Sequence, residues 1–438
     1  LRRGDIVLIP IGSLPKHFSQ ATPDRKIPRA AIKEPEPELE LATLTEGLRY
    51  GSDAQGNYAV YSIKRGESLY TSVVVRFTDL HDNADILRAC EIIARRSGIR
   101  DVSDIDVGRN IFIPMDMLSA RYLPRGNADR ENFEATIREA ERLRGNQGRS
   151  RDLAGVVVIL DPGHGGKDVG SYHAGSGLYE DEINYDIVCR IRALLETETA
   201  ARVHVTMIDR SQGYAPTNAT RFTADTDEDL LTNPRHPNNV DADVSVNLRW
   251  MLVNSIYDRE VKAGTDPNKI LLASLHTDSI AKKKIRGAMV YVPGAQYRRA
   301  SESRRRGIYG KYTEGRTYNR FTSTASERKR DEAMSRNFAN VFIDELGRAR
   351  IKRHDNGDPI RNLIVKNRNT SYVPGVIRNA RVPNKVLIET ANINSPIDRQ
   401  RLADPSWRQT FAEAYVDALK RYYGAEVTTR VASRGGGD

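Results

Sequence analysis

The sequence predicts an α/β protein with a mostly parallel, twisted sheet flanked by helices, preceded by a small α+β module. Four short runs are almost entirely apolar, as is typical of strands buried on both faces of a parallel sheet. They are "GVVVILD", "RVHVTMID", "KILLASLH" and "NKVLIET". Amphipathic segments with helical spacing separate or follow them, at 182–196, 331–346 and 407–422. This alternation favours helices that cover both faces of the sheet.

The length and composition predict more than one globular domain. At 438 residues the chain exceeds a single typical domain, and 39% hydrophobic residues suffice for buried cores. The longest apolar runs fall far short of the roughly 18 residues that a membrane span requires. Two cysteines exclude a disulfide framework. The chain starts at Leu1 without a signal peptide, so we expect a processed product or a fragment.

The formal net charge of +10 favours a polyanionic partner. Charge alone leaves nucleic acid, an anionic membrane surface, an anionic cell-wall polymer and no specific partner as alternatives.

Shifts in composition predict the domain boundaries. Repeated X-Pro steps with few large apolar residues favour an extended linker near the start. The stretch "RRGDIVLIP" echoes the later "DVGRNIFIP" and suggests a truncated second copy of the small module. The expected order is a truncated module at 1–12, a Pro/Glu-rich linker at 13–50, the small module at 58–124, a charged helix and linker at 125–150, the sheet domain at 151–424 with insertions near 211–240 and 297–330, and a disordered tail at 425–438.

The small module has the order strand, helix, strand. "YAVYSIKRGESLYTSV" alternates like a strand and then turns at Arg65 and Gly66. "ADILRACEIIARRSGI" has apolar residues at helical spacing and stops at Gly98. "DIDVGRNIFIP" then supplies a turn and a second strand, which completes a compact α+β unit.

Polar residues stand where the predicted strands of the large domain end. Asp161 and His164 follow the first strand, His276 ends "ILLASLH", and Glu389 ends "KVLIE", while Glu180 precedes the long helix. In parallel sheets such strand ends lie at one edge, where ligands bind. Two histidines and a carboxylate form a common zinc set with an open position for water, and a further carboxylate can serve as general base.

Each of these residues also has a structural interpretation. His164 is compatible with a turn residue, Glu180 with a first-turn acid favoured by the helix dipole, and His276 with a buried core histidine. Glu389 is compatible with a buried ion pair. His173, in "SYHAGSG", is an alternative ligand.

The remaining histidines, Cys189 and the motif searches indicate no further catalytic or ligand-binding site. His204 is expected on a strand face, and Cys189 in the core. No G-x-S-x-G, P-loop or dinucleotide motif appears. Polar surroundings predict surface positions for the remaining histidines, His17, His81, His236 and His354.

Four motifs in one order resemble a known family. "ILDPGHGGKDVG", "GLYEDEINYDI", "SLHTDSI" and "VLIETANINSPIDRQRL" resemble the zinc-dependent N-acetylmuramoyl-L-alanine amidases, which cut peptidoglycan between muramic acid and the first alanine of the stem peptide. The resemblance covers roughly 156–423. It implies Zn²⁺ as the cofactor, with His164, Glu180 and His276 as ligands and Glu389 as the catalytic acid/base.

Two positions depart from the family pattern. The family has a basic residue after the glutamate ligand, whereas this chain has Asp181 followed by Glu182. The family continues with Gly-Phe after the motif Glu-Thr, whereas this chain has Ala391 and Asn392. The first departure leaves open which carboxylate points inward, and the second suggests a different wall beside Glu389.

The small module resembles a LysM domain, which binds glycan chains containing N-acetylglucosamine. "YSIKRGESLY" matches the LysM opening and "IDVGRNIFIP" its close, with "VVVRFTDLHDNAD" apparently inserted. A generic α+β spacer is the alternative. The resemblance implies a glycan-binding role for five residues, Gly66, Glu67, Ser68, Leu69 and Ile113.

Together the two resemblances imply a bacterial peptidoglycan hydrolase that uses zinc-activated water and Glu389 as general base. The expected partners are peptidoglycan and a protein activator, and we expect a monomer in the periplasm or cell envelope that acts in cell division and peptidoglycan catabolism. The alternative is a catalytically silent or occluded cell-wall binding protein, with the arginine-rich segment 297–330 as its flap. Aromatic residues among those arginines also suggest nucleic acid. We expect no nucleic-acid partner, because both resemblances indicate the same wall polymer.

Overall fold

The computed structural model describes residues 47–80, 83–143, 151–238, 241–280, 282–354, 357–367, 370–425 and 427. Several predicted features lie outside these residues: the truncated module at 1–12, most of the linker at 13–50, His17 and His81. All but two residues of the predicted tail at 425–438 also lie outside them.

The described elements alternate broadly as predicted. The α-helices are Asn83–Arg96, Ala128–Leu143, Glu180–Glu198, Ala242–Lys262, Thr313–Thr317, Ala325–Arg348, Gly375–Asn379, Pro396–Ala403 and Pro405–Tyr422. The strands are Arg49–Asp53, Gly56–Ser62, Asn110–Pro114, Val157–Pro162, Tyr172–His173, Leu178–Tyr179, Arg202–Val205, Met207–Asp209, Glu228–Leu230, His236–Pro237, Ile270–Asp278, Met289–Tyr291, Ser301–Ser303, Arg320–Thr322, Ile360–Arg361, Ile364–Asn367, Thr370–Tyr372 and Asn384–Asn392.

A six-stranded mixed sheet forms the centre of the large domain. Its strand order is Ile360–Arg361, Met289–Tyr291, Asn384–Asn392, Ile270–Asp278, Val157–Pro162 and Arg202–Val205. The last four strands are parallel to one another, whereas Met289–Tyr291 is antiparallel to its longer neighbour. The predicted α/β class with a mostly parallel sheet is therefore confirmed.

Alternate side chains of the strand Val157–Pro162 enter different cores. Val158 and Leu160 pack with the helices Glu180–Glu198, Ala325–Arg348 and Pro405–Tyr422. Val157 and Ile159 belong to the core on the opposite face. Because side chains alternate across a strand, a run that is apolar at every position can serve both cores.

The second core continues into the small module. It joins the sheet and the helix Ala242–Lys262 to buried module residues such as Val73, Ile93 and Ile113. The strands Gly56–Ser62 and Asn110–Pro114 pair antiparallel, with a π-helical turn, Leu69–Val75, and the helix Asn83–Arg96 between them in sequence. The structure adds the strand Arg49–Asp53 before the predicted start at residue 58. The domain boundaries themselves stay a prediction.

Three local predictions are wrong. "RVHVTMID" is not one strand: after Arg202–Val205 the chain leaves the central sheet at Thr206, and Met207–Asp209 joins a separate three-stranded sheet. His236 and His354 are buried, with 2% and 5% of their surfaces exposed, and not on the surface. His236 hydrogen-bonds to Tyr312, a contact that the polar local sequence does not reveal.

No helix in the described ranges is long and apolar enough to cross a membrane.

Candidate metal site and its surroundings

The predicted site residues come together at the carboxyl edge of the central sheet. His164 lies in the loop after Val157–Pro162, and Glu180 is the first residue of the helix Glu180–Glu198. His276 and Glu389 are register partners on adjacent parallel strands. Register partners in a parallel pair lie on the same face, so both side chains can serve one site.

Three side chains converge on a common point. His164 Nε2 and His276 Nδ1 each lie 3.2 Å from Glu180 Oε1. The potential ligand atoms of these three residues all lie within 4.8 Å of one another. Two imidazole nitrogens and one carboxylate at this spacing match the donor set of a catalytic zinc site, in which water takes the fourth position.

Backbone amides hold the Glu180 carboxylate in place. Thr277 N donates to Oε1 at 3.0 Å and Ser171 N donates to Oε2 at 2.8 Å. Burial by itself would raise the pKa of Glu180, but His164 and His276 outweigh burial and hold the pKa well below its ordinary value. Glu180 therefore stays ionised, as a metal ligand must be.

The neighbouring acids of Glu180 belong to a different environment. Asp181 and Glu182 are buried, but Glu180 alone of the three joins the two histidines. Burial and then repulsion from Glu228 raise the pKa of Asp181 to about 8. Burial and then repulsion from Asp181 raise the pKa of Glu182 to about 9. The sequence left open which carboxylate points inward, and Glu180 is the one that meets the histidines.

Two glycines make room for the converging rings. A Cβ on Gly163 would collide with the His276 imidazole. Gly170 has a φ of +64°, and a Cβ there would lie 2.7 Å from Glu180 Oε2 and from His164 Cγ. The glycines of this loop therefore serve the packing of the site as well as the turn.

Arg249 fixes the loop that carries His164, a role that the sequence did not reveal. Its guanidinium donates to Asp161 Oδ1 at 2.7 Å and to the carbonyl of Pro162 at 2.5 Å, and also hydrogen-bonds to the His164 carbonyl. Asp161 in turn accepts from Ser274 Oγ at 2.7 Å. His164 has a φ of 65°, which is rare for a non-glycine residue, and this network holds it there.

Asp168 orients the ring of His164. Its Oδ2 lies 3.0 Å from His164 Nδ1, and this contact is the main reason that the pKa of Asp168 is lowered. A carboxylate on the far nitrogen of a ligand histidine fixes the tautomer and the ring orientation. The sequence did not indicate this contact, because a spacing of four residues brings side chains together on a helix, and His164 and Asp168 lie in a loop.

Glu389 is a buried carboxylate with unused hydrogen-bonding capacity. Its exposed fraction is 8%, and Oε2 has no hydrogen-bond partner among the described residues. Burial raises the pKa of Glu389 well above its ordinary value, and the carboxylates of Asp278 and Glu180 add repulsion. No structural ion pair occupies Glu389 within the ranges that the structure describes.

One open cavity of about 870 Å³ is lined by all four predicted site residues, His164, Glu180, His276 and Glu389. Its walls come from the His164 loop, from 243–249 on the helix Ala242–Lys262, and from Ile364, Tyr372 and 374–376. No described residue of either predicted insertion, 211–240 or 297–330, lines the cavity. The arginine-rich segment instead folds into short elements, including Ser301–Ser303 paired with Arg320–Thr322.

The other sequence candidates have structural contacts. His173 accepts a hydrogen bond from Ser176 N and is not part of the converging group. Asn392, one of the two departures after Glu389, is buried and donates to the carbonyls of Ile280 and Ile285 at 3.1 and 2.8 Å. It therefore fastens the chain that follows His276.

The residues expected to bind glycan mostly maintain the small module. Leu69 and Ile113 are in its core. Both carboxylate oxygens of Glu67 lie 2.8 Å from the Tyr61 hydroxyl, and Ser68 caps the π-helical turn. Gly66 forms the turn, with a φ of 82°. None of these five residues lines the cavity of about 820 Å³ on the module surface, so their glycan-binding role stays a prediction.

Comparison with known proteins gives matches to N-acetylmuramoyl-L-alanine amidases, both for a family model and for a curated relative. A family model described as N-acetylmuramoyl-L-alanine amidase (Amidase_3) matches residues 158–421. The N-acetylmuramoyl-L-alanine amidase AmiC of Neisseria meningitidis serogroup B is 24% identical over 294 residues, which are 65% of this chain. They are 56% of AmiC, so the chain spans about half the length of this curated relative.

Similar solved structures carry related descriptions. The N-acetylmuramyl-L-alanine amidase Ami1 from Mycobacterium smegmatis is 17% identical, with 63% of this chain and 99% of that chain covered and a TM-score of 0.36. The CwlD amidase from Clostridioides difficile, in complex with the GerS lipoprotein, is 15% identical. It covers 61% of this chain and 98% of that chain, with a TM-score of 0.37.

Proposed function

The chain belongs to the Amidase_3 family of N-acetylmuramoyl-L-alanine amidases, and from this membership we propose that it hydrolyses the amide between N-acetylmuramic acid and L-alanine in peptidoglycan. The observation that carries the proposal is the convergence of His164, Glu180 and His276 in one cavity with Glu389. Family membership supports a cell-wall hydrolase, and these residues supply a specific chemistry for it.

In this proposal His164, Glu180 and His276 hold a zinc ion. The donor set suits zinc, and the second contacts of the ligands, from Asp168, Ser171 and Thr277, resemble those that orient ligands in zinc enzymes. A zinc ion bound here would supply Lewis-acid activation of water and of the scissile carbonyl.

Glu389 is the proposed general base. Its unpartnered Oε2 would accept the proton of the attacking water and return it to the leaving amine of L-alanine. The raised pKa of Glu389 supports this role, because efficient proton transfer requires a group that titrates nearer to the working pH than an ordinary glutamate does.

The shape of the cavity supports a polymeric substrate. It is open, and its lining includes the exposed residues Asp243, Val246 and Tyr372 in addition to the proposed metal ligands. We propose that the stem peptide and the sugar occupy these walls while the amide lies over the three ligands.

The catalytically silent or occluded alternative is not favoured. It depended on the segment 297–330 as a flap, and no described residue of that segment lines the cavity. The LysM-like glycan contact, the periplasmic or envelope location, the protein activator and the monomeric state remain proposals that follow from the proposed substrate.

Mass analysis of the products from purified peptidoglycan tests the function. Amidase cleavage yields stem peptides with a free L-alanine amine and glycan with an intact lactyl carboxylate. Peptides cut elsewhere, or shortened glycan, would refute the proposed bond. Bound glycan without any product from zinc-loaded protein would instead favour the silent alternative.

A further inference from the structure

A second group of converging acids lies beside the first turn of the helix Glu180–Glu198. One carboxylate oxygen from each of Glu182, Asp225 and Glu228 lies within 4.8 Å of the others. Glu182 and Glu228 are buried, whereas Asp225 is partly exposed. The group therefore has a buried interior and one side open to solvent.

Basic side chains do not balance these charges. In the described part of the chain no ion pair joins Glu182, Asp225 or Glu228 to a lysine, arginine or histidine. Arg210 pairs with the neighbouring Asp229 instead, at 3.8 Å. Buried carboxylates that repel one another either take up protons or are neutralised by a counter-charge, and no described lysine, arginine or histidine pairs with these three.

Glu182 gives an independent indication of a missing ligand. Only 6% of its surface is exposed, and its Oε1 has no hydrogen-bond partner among the described residues. The Glu182 carboxylate points into the group, because one of its oxygens is among the three that converge. A buried, unsatisfied acceptor at a cluster of carboxylates is the arrangement that a bound cation would complete.

We propose that Glu182, Asp225 and Glu228 form a second cation site, separate from the one at His164, Glu180 and His276, and that it binds a hard divalent cation such as Ca²⁺. All three donors are carboxylate oxygens, which Ca²⁺ prefers, whereas the histidine nitrogens of the first site suit zinc. Three carboxylates leave coordination positions for water on the side of Asp225.

The proposed cation would connect two parts of the catalytic edge. Glu228 Oε2 accepts a hydrogen bond from Gly166 N at 2.6 Å, in the loop that carries His164. Glu182 lies in the same helical turn as Glu180. A cation bound by both glutamates therefore braces the His164 loop against the helix that supplies the carboxylate of the first site.

Calorimetric titration of the full, zinc-loaded protein with Ca²⁺ tests this site. We expect one saturable Ca²⁺ per chain, a higher melting temperature in Ca²⁺ than in NaCl of equal ionic strength, and no loss of zinc. The variant Asp225→Asn should bind Ca²⁺ at least about tenfold more weakly while keeping its zinc. Glu91→Gln, which removes the same charge at an exposed position of the small module, should bind Ca²⁺ like the wild type.

Two results would overturn the site. One is the absence of saturable Ca²⁺ binding to the zinc-loaded wild type, a measurement that does not depend on whether any variant folds. The other is equal Ca²⁺ affinity in folded Asp225→Asn and in the wild type. Neither result bears on peptidoglycan cleavage, so failure here is distinguishable from failure of the proposed amidase function.

Discussion

The first turn of one helix contributes to two clusters of opposite chemical character. Glu180 meets two imidazoles and accepts hydrogen bonds from two backbone amides. Glu182, two residues later, instead converges with the carboxylates of Asp225 and Glu228. The difference arises because residues two positions apart on a helix point to nearly opposite sides, here one toward the sheet edge and the other toward the segment 225–228.

One helix start thus contributes to two donor sets that suit two different proposed cations. Nitrogen donors and fixed amide contacts make the first cluster suited to a borderline-soft ion in a rigid geometry. Oxygen donors alone make the second suited to a hard ion with flexible coordination. Four predictions follow: the first two separate the two clusters by experiment, and the last two concern Asp331, a buried carboxylate that pairs with basic side chains, and its partner Lys385.

The largest effect is expected from His276→Ala. Removal of one of the three proposed ligands should reduce bound zinc to near zero and cleavage of labelled peptidoglycan to background, while the Ca²⁺ response at the acidic cluster persists. Metal analysis and dye release measure the two outcomes. His173→Ala is the matched control and should keep both zinc and activity; if it loses zinc instead, the ligand assignment is wrong.

Glu389→Gln should separate metal binding from chemistry. The amide keeps the shape of the side chain but cannot accept the proton, so the rate of cleavage should fall by about 10²–10⁴-fold. Zinc content and Ca²⁺ binding should match those of the wild type. A variant that still solubilises peptidoglycan at the wild-type rate would remove Glu389 from the mechanism.

Asp331 serves as a reference for the acidic cluster, because its buried carboxylate is paired with lysine and arginine side chains. This buried carboxylate contacts Lys385 Nζ at 2.7 Å, Arg298 Nη1 at 3.2 Å and Arg330 Nη2 at 3.3 Å. Asp331→Asn should lower the free energy of unfolding by about 3–5 kcal/mol, because it leaves buried positive charges unpaired. Urea unfolding measures this loss, and the increase in stability caused by Ca²⁺ should be the same as in the wild type. A diminished Ca²⁺ effect would indicate that the two acidic regions are coupled.

The smallest effect is a pH dependence that originates at Lys385. Burial, together with repulsion from Arg298, lowers the pKa of Lys385 to about 7, against about 10.4 in an unfolded chain. Between these values the unfolded state binds more protons, so this residue makes stability rise with pH by up to about 1.4 kcal/mol per pH unit. Urea unfolding at several pH values above neutrality, compared with Lys385→Met, measures the difference. Identical slopes in the two proteins would contradict the assignment.

Much of the first cluster was predictable because its residues stand at strand ends and in motifs that keep their spacing. Their motifs identify His164, Glu180, His276 and Glu389 as candidates, and the structure brings these four residues to one cavity. The second cluster was not predicted. The acidic run at 225–229 resembles an exposed polar turn, and nothing in the local sequence places it against Glu182, more than forty residues earlier.

Local pattern was sufficient for the α/β class, for the buried strands and for the polar residues at their ends, because side-chain periodicity and chain connectivity are properties of neighbouring residues. The tertiary structure alone decided that Glu182 joins Asp225 and Glu228, that Arg249 holds the His164 loop, and that no described residue of the segment 297–330 lines the cavity. Those outcomes depend on contacts between residues far apart in the chain. Such contacts are selected by packing and by the need to satisfy buried charge, and neither condition is visible in a short stretch of sequence.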